Sequence, residues 1–279
     1  MASADGEFLI AQISDIHCGE SRHDPRLVQR AIEEVNRAAP DLVVVPGDLT
    51  ANGFRDEFLE AKRYVDEIVC ENCVVIAGNH DCRNVGYLHF EDIFGARYHS
   101  FEMGFGVCCE GVVQDRVKVL AADSNKPDLN EGELGRSKLD WIEEEFADPE
   151  PFKVFVLHHH VVGVPGTGRE RSILLDAGDV VRALSQSGAD LILSGHKHVA
   201  WAVPIAGMLA VTSGTAGTHR ARGFTPPSYN LLRITQDRVE GVAKDLTGDN
   251  DLSGAFDRAL KLPVGLLAGG APGEPVADE

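Results

Sequence analysis

No run in the 279-residue sequence approaches the roughly 18–20 consecutive apolar residues that cross a bilayer, so a membrane span is not expected. The first seven residues lack the basic and apolar regions of a secretory signal, and a cytoplasmic location is the expectation. Positive charge is scarce: 26 Lys and Arg stand against 44 Asp and Glu, a formal net charge of −18. Such a surface repels a phosphate backbone and argues against a nucleic-acid duplex as partner. Internal repeats are lacking. Cysteine is limited to Cys18, Cys70, Cys73, Cys82, Cys108 and Cys109. Cys70 and Cys73 form a C-x-x-C without a second pair to complete a zinc ribbon, and they precede a strand rather than open a helix. Packing is their expected role. The adjacent Cys108 and Cys109 are not expected to form a disulfide in a reducing compartment.

What the sequence does contain is one pattern repeated. A short apolar run stops, and an Asp, Asn or His follows within a few residues. Residues 8–14 lead to Asp15 and His17; residues 42–46 lead to Gly47-Asp48; residues 74–77 lead to Gly78-Asn79-His80-Asp81. Residues 154–157 then lead to His158-His159-His160, and 191–194 to Gly195-His196-Lys197-His198. Buried strands that end this way deliver polar side chains to the rim of a sheet, where several can converge on one cleft.

Between these runs, residues 25–39 carry apolar side chains at 27, 28, 31, 32 and 35, a helical stripe with Asp24 as N-cap and Pro25 in the first turn. Further helices are expected at 56–69, 84–94, 136–146 and 177–186. Strands are expected at 105–109, 117–122, 200–205, 209–213, 229–234 and 239–244. Consecutive strands in the second half exclude a simple strand–helix alternation. The pattern predicts an α/β fold: two mixed β-sheets packed as a sandwich, with flanking helices. Residues 1–245 form the expected catalytic domain. Residues 246–279 form an extension or arm, with a short helix expected at 252–260. Its apolar Leu262, Val264, Leu266 and Leu267 could dock on a second copy.

Asp15, His17, Asp48, Asn79, His158, His196 and His198 offer only nitrogen and oxygen donors, a set suited to Zn, Mn or Fe. Seven ligands are too many for one ion and fit two divalent or trivalent ions, with Asp48 as the natural bridge. Two cations lower the pKa of a shared water and neutralise a phosphoryl group under attack, which is a hydrolase design. His80 lies at the same cleft without needing to bind metal. Asp81 is expected to accept a hydrogen bond from the His80 ring and raise its basicity.

Taken together and in order, these five motifs resemble those of the calcineurin-like metallophosphoesterases. Ala122-Asp123-Ser124, Gly132-Glu133-Leu134 and Trp141 are similar to the class that holds bacterial cyclic-nucleotide phosphodiesterases and glycerophosphodiesterases. The resemblance implies that Asp15, His17, Asp48 and His198 hold one metal, and that Asp48, Asn79, His158 and His196 hold the other. It implies His80 as the catalytic histidine and a small phosphodiester as substrate, attacked in line by a bridging hydroxide. A phosphomonoesterase, a nucleotide or lipid pyrophosphatase, or a non-catalytic metal-binding protein are the alternatives. Two departures stand out. His160-Val161 replaces the usual residues of the fourth motif, leaving His158, favoured as the first after the strand, or His159 as ligand. Cys18 follows His17, where its thiol either contacts a metal or packs. His219, Arg220 and Arg222 are candidates for substrate binding, with a solvated loop as the plainer reading, and Lys197 is expected to point away from the metals.

Overall fold

Val, Ile and Leu dominate the short apolar runs, and in the computed structural model these become buried strands. The structure describes residues 7–104, 116–170, 172–220, 222, 225–235, 238–248, 251–252 and 262–263. The expected strand at 105–109, most of the expected helix at 252–260 and the arm beyond 263 lie outside these residues.

One sheet contains β1 (Phe8–Gln12), β2 (Leu42–Val45), β3 (Cys73–Val75), β10 (Ser228–Ile234), β11 (Arg238–Asp245) and β12 (Leu262–Pro263). Its order is β12-β11-β10-β1-β2-β3. The second sheet contains β4 (Tyr98–Gly104), β5 (Arg116–Ala122), β6 (Phe152–Val156), β7 (Leu191–Ser194), β8 (Trp201–Ile205) and β9 (Met208–Thr212), in the order β4-β5-β6-β7-β9-β8. In the first sheet β1, β2 and β3 run parallel; in the second β5, β6, β7 and β9 do. Helices α1 (Pro25–Ala38), α2 (Arg55–Asp66) and α3 (Gly86–Phe94) belong to the first half, and α4 (Arg136–Glu145) and α5 (Ala177–Gln186) to the second. The predicted sandwich of two mixed sheets with flanking helices is the fold observed.

Three apolar layers follow. Ile10, Val44, Val119, Val154 and Leu193 pack between the sheets. Leu27, Val28, Ala31, Ile32 and Val35, the five positions of the α1 stripe, pack with Val43, Val45 and Phe58 on the outer face of the first sheet. Leu139, Ile142, Phe155, Val180 and Leu184 pack on the outer face of the second. Burying a side chain of this size contributes roughly 1.5–3 kcal/mol. Asp24 caps α1 as expected, accepting from the Arg26 N–H at 3.0 Å.

Two strands were not anticipated. β4 is an edge strand whose inward positions are Phe101 and Met103, while Ser100, Glu102 and Gly104 are exposed. β12 pairs with β11 of the same chain, Leu262 opposite Val239, so the start of the arm expected to reach a neighbour extends its own sheet.

A polar bridge joins the sheets near the ends of β1 and β7. Gln12 Nε2 donates to the Ser194 carbonyl at 2.8 Å, and Asn230 Nδ2 donates to Gln12 Oε1 and to the Thr212 carbonyl, both at 3.0 Å. These groups are buried and bonded, so they set the register between sheets that apolar packing alone would leave free to slide.

Asp190, just before β7, is buried and accepts from the Lys153 N–H at 2.8 Å. Burial pushes its carboxyl up to about 6, although that hydrogen bond and the Lys153 charge pull the other way. An unfolded Asp titrates near ~3.9, so between there and about 6 the folded chain keeps a proton that the unfolded chain has lost. Stability therefore falls as pH rises through this window, and the cost is complete above it. Asp190→Asn retains an oxygen for the Lys153 amide. It is expected to raise unfolding stability by about 1–2 kcal/mol near pH ~7.5 and to lose that advantage near pH ~4. Denaturant melts at the two pH values check this; a variant less stable than wild type near neutrality contradicts it.

Candidate metal centre

The site forms where the carboxyl ends of β1, β2, β3, β6 and β7 meet, the rim at which open α/β sheets bind ligands. Each strand passes into a turn held by the next. The Asp15 N–H donates to the Gly47 carbonyl at 3.1 Å, the His17 N–H to the Asp48 carbonyl at 3.0 Å, and the Gly195 N–H to the His158 carbonyl at 3.0 Å. Gly47 has a φ of +95°, and a Cβ on Gly78 would lie 2.2 Å from the Asp48 nitrogen. Only glycines allow these two turns to touch backbone to backbone. Asp15, His17, Asp48, His196 and His198 all have positive φ, between 53° and 76°. Left-handed backbone costs on the order of 1–2 kcal/mol for such residues and clusters at functional sites.

All seven expected ligands come together. Asp15, His17, Asp48 and His198 each offer a donor atom, all within 4.8 Å of one another, and Asp48, His158 and His196 form a second such group. Asp48 is common to both. His198 Nε2 lies 3.2 Å from Asp15 Oδ1 and 2.9 Å from His17 Nε2, and His17 Nε2 lies 3.6 Å from Asp48 Oδ2. On the other side, His158 Nε2 lies 3.4 Å from Asp48 Oδ1. Asn79 Oδ1 lies 3.2 Å from His158 Nε2 and 2.9 Å from His196 Nδ1. All seven side chains are buried.

The outward ring nitrogens show which atoms are left for a cation. His158 Nδ1 donates to the Pro46 carbonyl at 2.7 Å, and His198 Nδ1 to the Arg220 carbonyl at 3.1 Å. A carbonyl only accepts, so in each ring the neutral tautomer leaves the Nε2 lone pair facing the cluster. Lone pairs and carboxylate oxygens at 2.9–3.6 Å from one another repel unless a proton or a metal lies between them. For His158 burial opposes charging, but Asp48 and Asp15 outweigh it and push the ring up to about 9. Burial likewise disfavours the Asp48 carboxylate, yet His158, His80 and His17 hold its pKa well below the usual range. Burial holds His17 and His196 well below theirs. The donor set, its tautomers and the shared Asp48 fit two cations with nitrogen and oxygen ligands.

Of His158 and His159, the first faces the cluster and the second does not. His159 turns away: Nδ1 is 2.8 Å from Ser124 Oγ, and Nε2 donates to the Asn130 carbonyl at 3.1 Å. His160 and Lys197 both meet Glu170, at 2.9 Å each, and Lys197 lies outside the cluster as expected.

His80 sits beside the cluster, its ring centroid 4.6 Å from that of His17, but its partner is not the expected one. Nδ1 donates to the Ala51 carbonyl at 2.8 Å, and Arg83 Nη2 donates to Nε2 at 3.1 Å. The ring is therefore held neutral, with burial pulling its pKa down, Asp48 opposing and Arg83 reinforcing. Asp81 does not reach it. Its Oδ1 accepts from the Thr50 N–H and hydroxyl, and its Oδ2 from the Leu49 and Gly78 N–H groups. Asp81 thus ties the Asp48 turn to the Asn79 turn, and the expectation that it orients His80 is corrected. Its carboxylate has the better use of four donors that a ring nitrogen would displace.

Of the three substrate candidates, His219 is half-exposed and pairs with Asp24 at the start of α1, 2.9 Å away, rather than turning to the cluster. Arg220 contributes its carbonyl to His198, while its half-exposed guanidinium lies 3.9 Å from Glu20. Arg222 is partly buried, with Asp15 and Asp48 among the charges acting on it. Arg83 and Asn130 escaped the sequence reading. Asn130 Oδ1 lies 3.4 Å from Asn79 Nδ2 and 3.5 Å from Arg83 Nη2. Arg83 stands three residues beyond His80, the one available signal; Asn130 lies in a loop with none.

The sequence profile described as calcineurin-like phosphoesterase matches residues 8–200, and the chain belongs to this family of metal-dependent phosphoester hydrolases. A cAMP/cGMP dual specificity phosphodiesterase of Mycobacterium tuberculosis is 26% identical over 315 aligned residues, covering 97% of this chain and 96% of that protein. A probable cyclic nucleotide phosphodiesterase of a Synechococcus species is 27% identical over 203 residues, covering 69% of this chain and 74% of that one. Among solved structures, a purple acid phosphatase from yellow lupin seeds shares the fold with a TM-score of 0.67 at 14% identity. The match covers 91% of this chain and 54% of the phosphatase, so the chain spans about half that protein's length.

Asp81→Asn leaves one amide oxygen facing donors that now satisfy two. Burial and the Asp48 charge push the Asp81 carboxyl up to about 7, a cost that Asn removes in part, so the variant is expected to lose about 1–2 kcal/mol of stability. Thermal and denaturant melts check this. Wild-type stability combined with a purely kinetic defect would return Asp81 to the catalytic role.

Proposed function

We propose that this protein hydrolyses a small phosphodiester, a cyclic nucleotide being the favoured substrate, at a centre of two metal ions bridged by Asp48. The observation that carries the reading is the division of the donors into two groups sharing that one carboxylate. Asp15, His17, Asp48 and His198 would hold one ion, and Asp48, Asn79, His158 and His196 the other, with Mn, Fe or Zn suited to the donors. Two bound cations supply an acidified water and positive charge for the phosphoryl oxygens.

The chain's own groups complete the task. Asn79 is held from behind by Asn130, and its carbonyl oxygen faces His158 and His196. His80 is the proposed catalytic histidine: its ring is fixed through Nδ1 to Ala51, and Nε2, which accepts from Arg83, would exchange that contact for one with the leaving oxygen when substrate binds. Arg83 bonds both the Ala51 carbonyl and His80 Nε2, and adds fixed positive charge beside the reacting group. Arg222, partly buried and under the influence of Asp15 and Asp48, would be the second cation to meet a substrate phosphate. The names of the two phosphodiesterase relatives, one aligned along nearly the whole chain, support a diester over a monoester. No helix among the described residues is long and apolar enough to cross a membrane, and a cytoplasmic enzyme acting on a small diffusible phosphoester accords with this. Residues 1–245 would form the catalytic unit, with the remainder an extension that includes β12 at the edge of the first sheet.

Turnover of bis(p-nitrophenyl) phosphate and of p-nitrophenyl phosphate, with manganese added, tests the reading. Diester cleavage is expected to dominate. In Asn79→Ala it is expected to fall by more than the roughly 10–100-fold typical of residues that only support metal ligands. Cyclic AMP and cyclic GMP would then be the natural substrates to compare. Monoester preference would replace the proposal with a phosphatase, and full activity of Asn79→Ala would remove Asn79 from the centre.

A further inference from the structure

Directly behind the His17 turn lies a second donor cluster that the phosphoesterase centre does not use. Cys18 Sγ, a His23 ring nitrogen and a Glu60 carboxylate oxygen all lie within 4.8 Å of one another. They come from three segments. Cys18 follows His17 and bridges to Thr50, His23 precedes α1 and bridges to Thr218, and Glu60 projects from α2.

The orientation of His23 is informative. Its Nδ1 is 3.0 Å from the Ile16 carbonyl, which can only accept, so Nδ1 carries a proton. In the neutral ring Nε2 is then a bare lone pair. The side chain is 7% exposed, and this buried Nε2 has no hydrogen-bond partner. Glu60 Oε1 lies 3.7 Å away, too far for a hydrogen bond. An imidazole with one nitrogen anchored to a backbone carbonyl and the other buried and unpartnered, in a cluster with a thiol and a carboxylate, has the arrangement found in metal-ligating histidines.

We propose that Cys18, His23 and Glu60 form a separate cation site, of the thiolate–imidazole–carboxylate kind that suits zinc. Around a tetrahedral zinc, neighbouring donors stand roughly 3.3–3.6 Å apart, and the His23–Glu60 spacing of 3.7 Å is already close to that. Binding forms a zinc–sulfur bond and releases the thiol proton to solvent. Glu60 is one-third exposed and opens a route of entry, leaving a fourth position for water. The bound ion would clamp the turn that carries Asp15 and His17 to α2, making this a structural site distinct in donors and position from the Asp48 centre. The inference does not depend on the substrate proposed above.

The difference in donors supplies the test, because no sulfur atom belongs to the Asp48 centre. Cobalt(II), which adopts zinc's coordination, gives a sulfur-to-metal charge-transfer band in the near ultraviolet only when a thiolate binds it. Titration of the full chain with cobalt(II) is expected to develop this band. Cys18→Ser is expected to abolish it, and His23→Gln and Glu60→Gln to weaken cobalt binding at the sulfur site by about 10-fold or more. Failure of the band to appear in wild type overturns the proposal. So does a band that survives in Cys18→Ser, since its source would be another thiol such as Cys70 or Cys73. Should Cys18→Ser not fold, an unchanged band in folded Glu60→Gln is equally decisive against it.

Discussion

The Asp15 carboxylate and four imidazoles crowd around Asp48, and the neighbouring structure depends on how their charge and lone pairs are accommodated. Burying an ionised carboxylate without a partner is costly, and so is leaving ring nitrogens face to face. In the chain alone the compensation is a proton shared with His158, whose pKa rises to about 9. Cations do this better, because they satisfy every donor at once. The backbone N–H groups of His80, at 2.9 Å from Asp48 Oδ1, and of His196, at 3.1 Å and 3.2 Å from the two Asp15 oxygens, hold the carboxylates in place for them.

That geometry is maintained by strain and by rigid support. Five of the seven donors sit in left-handed backbone, which an isolated peptide would relax. They stay there because each turn hydrogen-bonds to the next, because Gly47 and Gly78 let two turns touch, and because Asp81 ties four donors from both of them together. The buried Gln12–Ser194–Asn230 bridge fixes one sheet against the other at the same end.

Much of this was legible in the sequence, for physical reasons. The α1 stripe has the helical period on its face, and all five positions are buried. The strand runs are nearly pure in apolar residues because they are covered on both sides, and the ligands follow them because that is where the strands end. The division of donors around Asp48 needed the known motifs as well as their order. What the sequence did not carry are contacts set by the path of a loop. The Ala51 carbonyl that orients His80, and the guanidinium of Arg83 on its other nitrogen, depend on where residues 50–54 run. β4 was missed because only Phe101 and Met103 mark its inward face, too short an alternation to stand out on an exposed edge. His219 has the chemistry of a phosphate ligand but sits nearer to Asp24.

The two donor groups share Asp48, and the proposed centre would hold one metal ion on each side of that residue. Electron paramagnetic resonance of the chain titrated with manganese(II) addresses it without reference to any substrate. Two ions are expected to bind with the spectrum of an exchange-coupled pair, reverting to uncoupled manganese when Asp48 is replaced by Ala. A wild-type protein that binds a single ion, or two with the spectrum of isolated manganese, would contradict it.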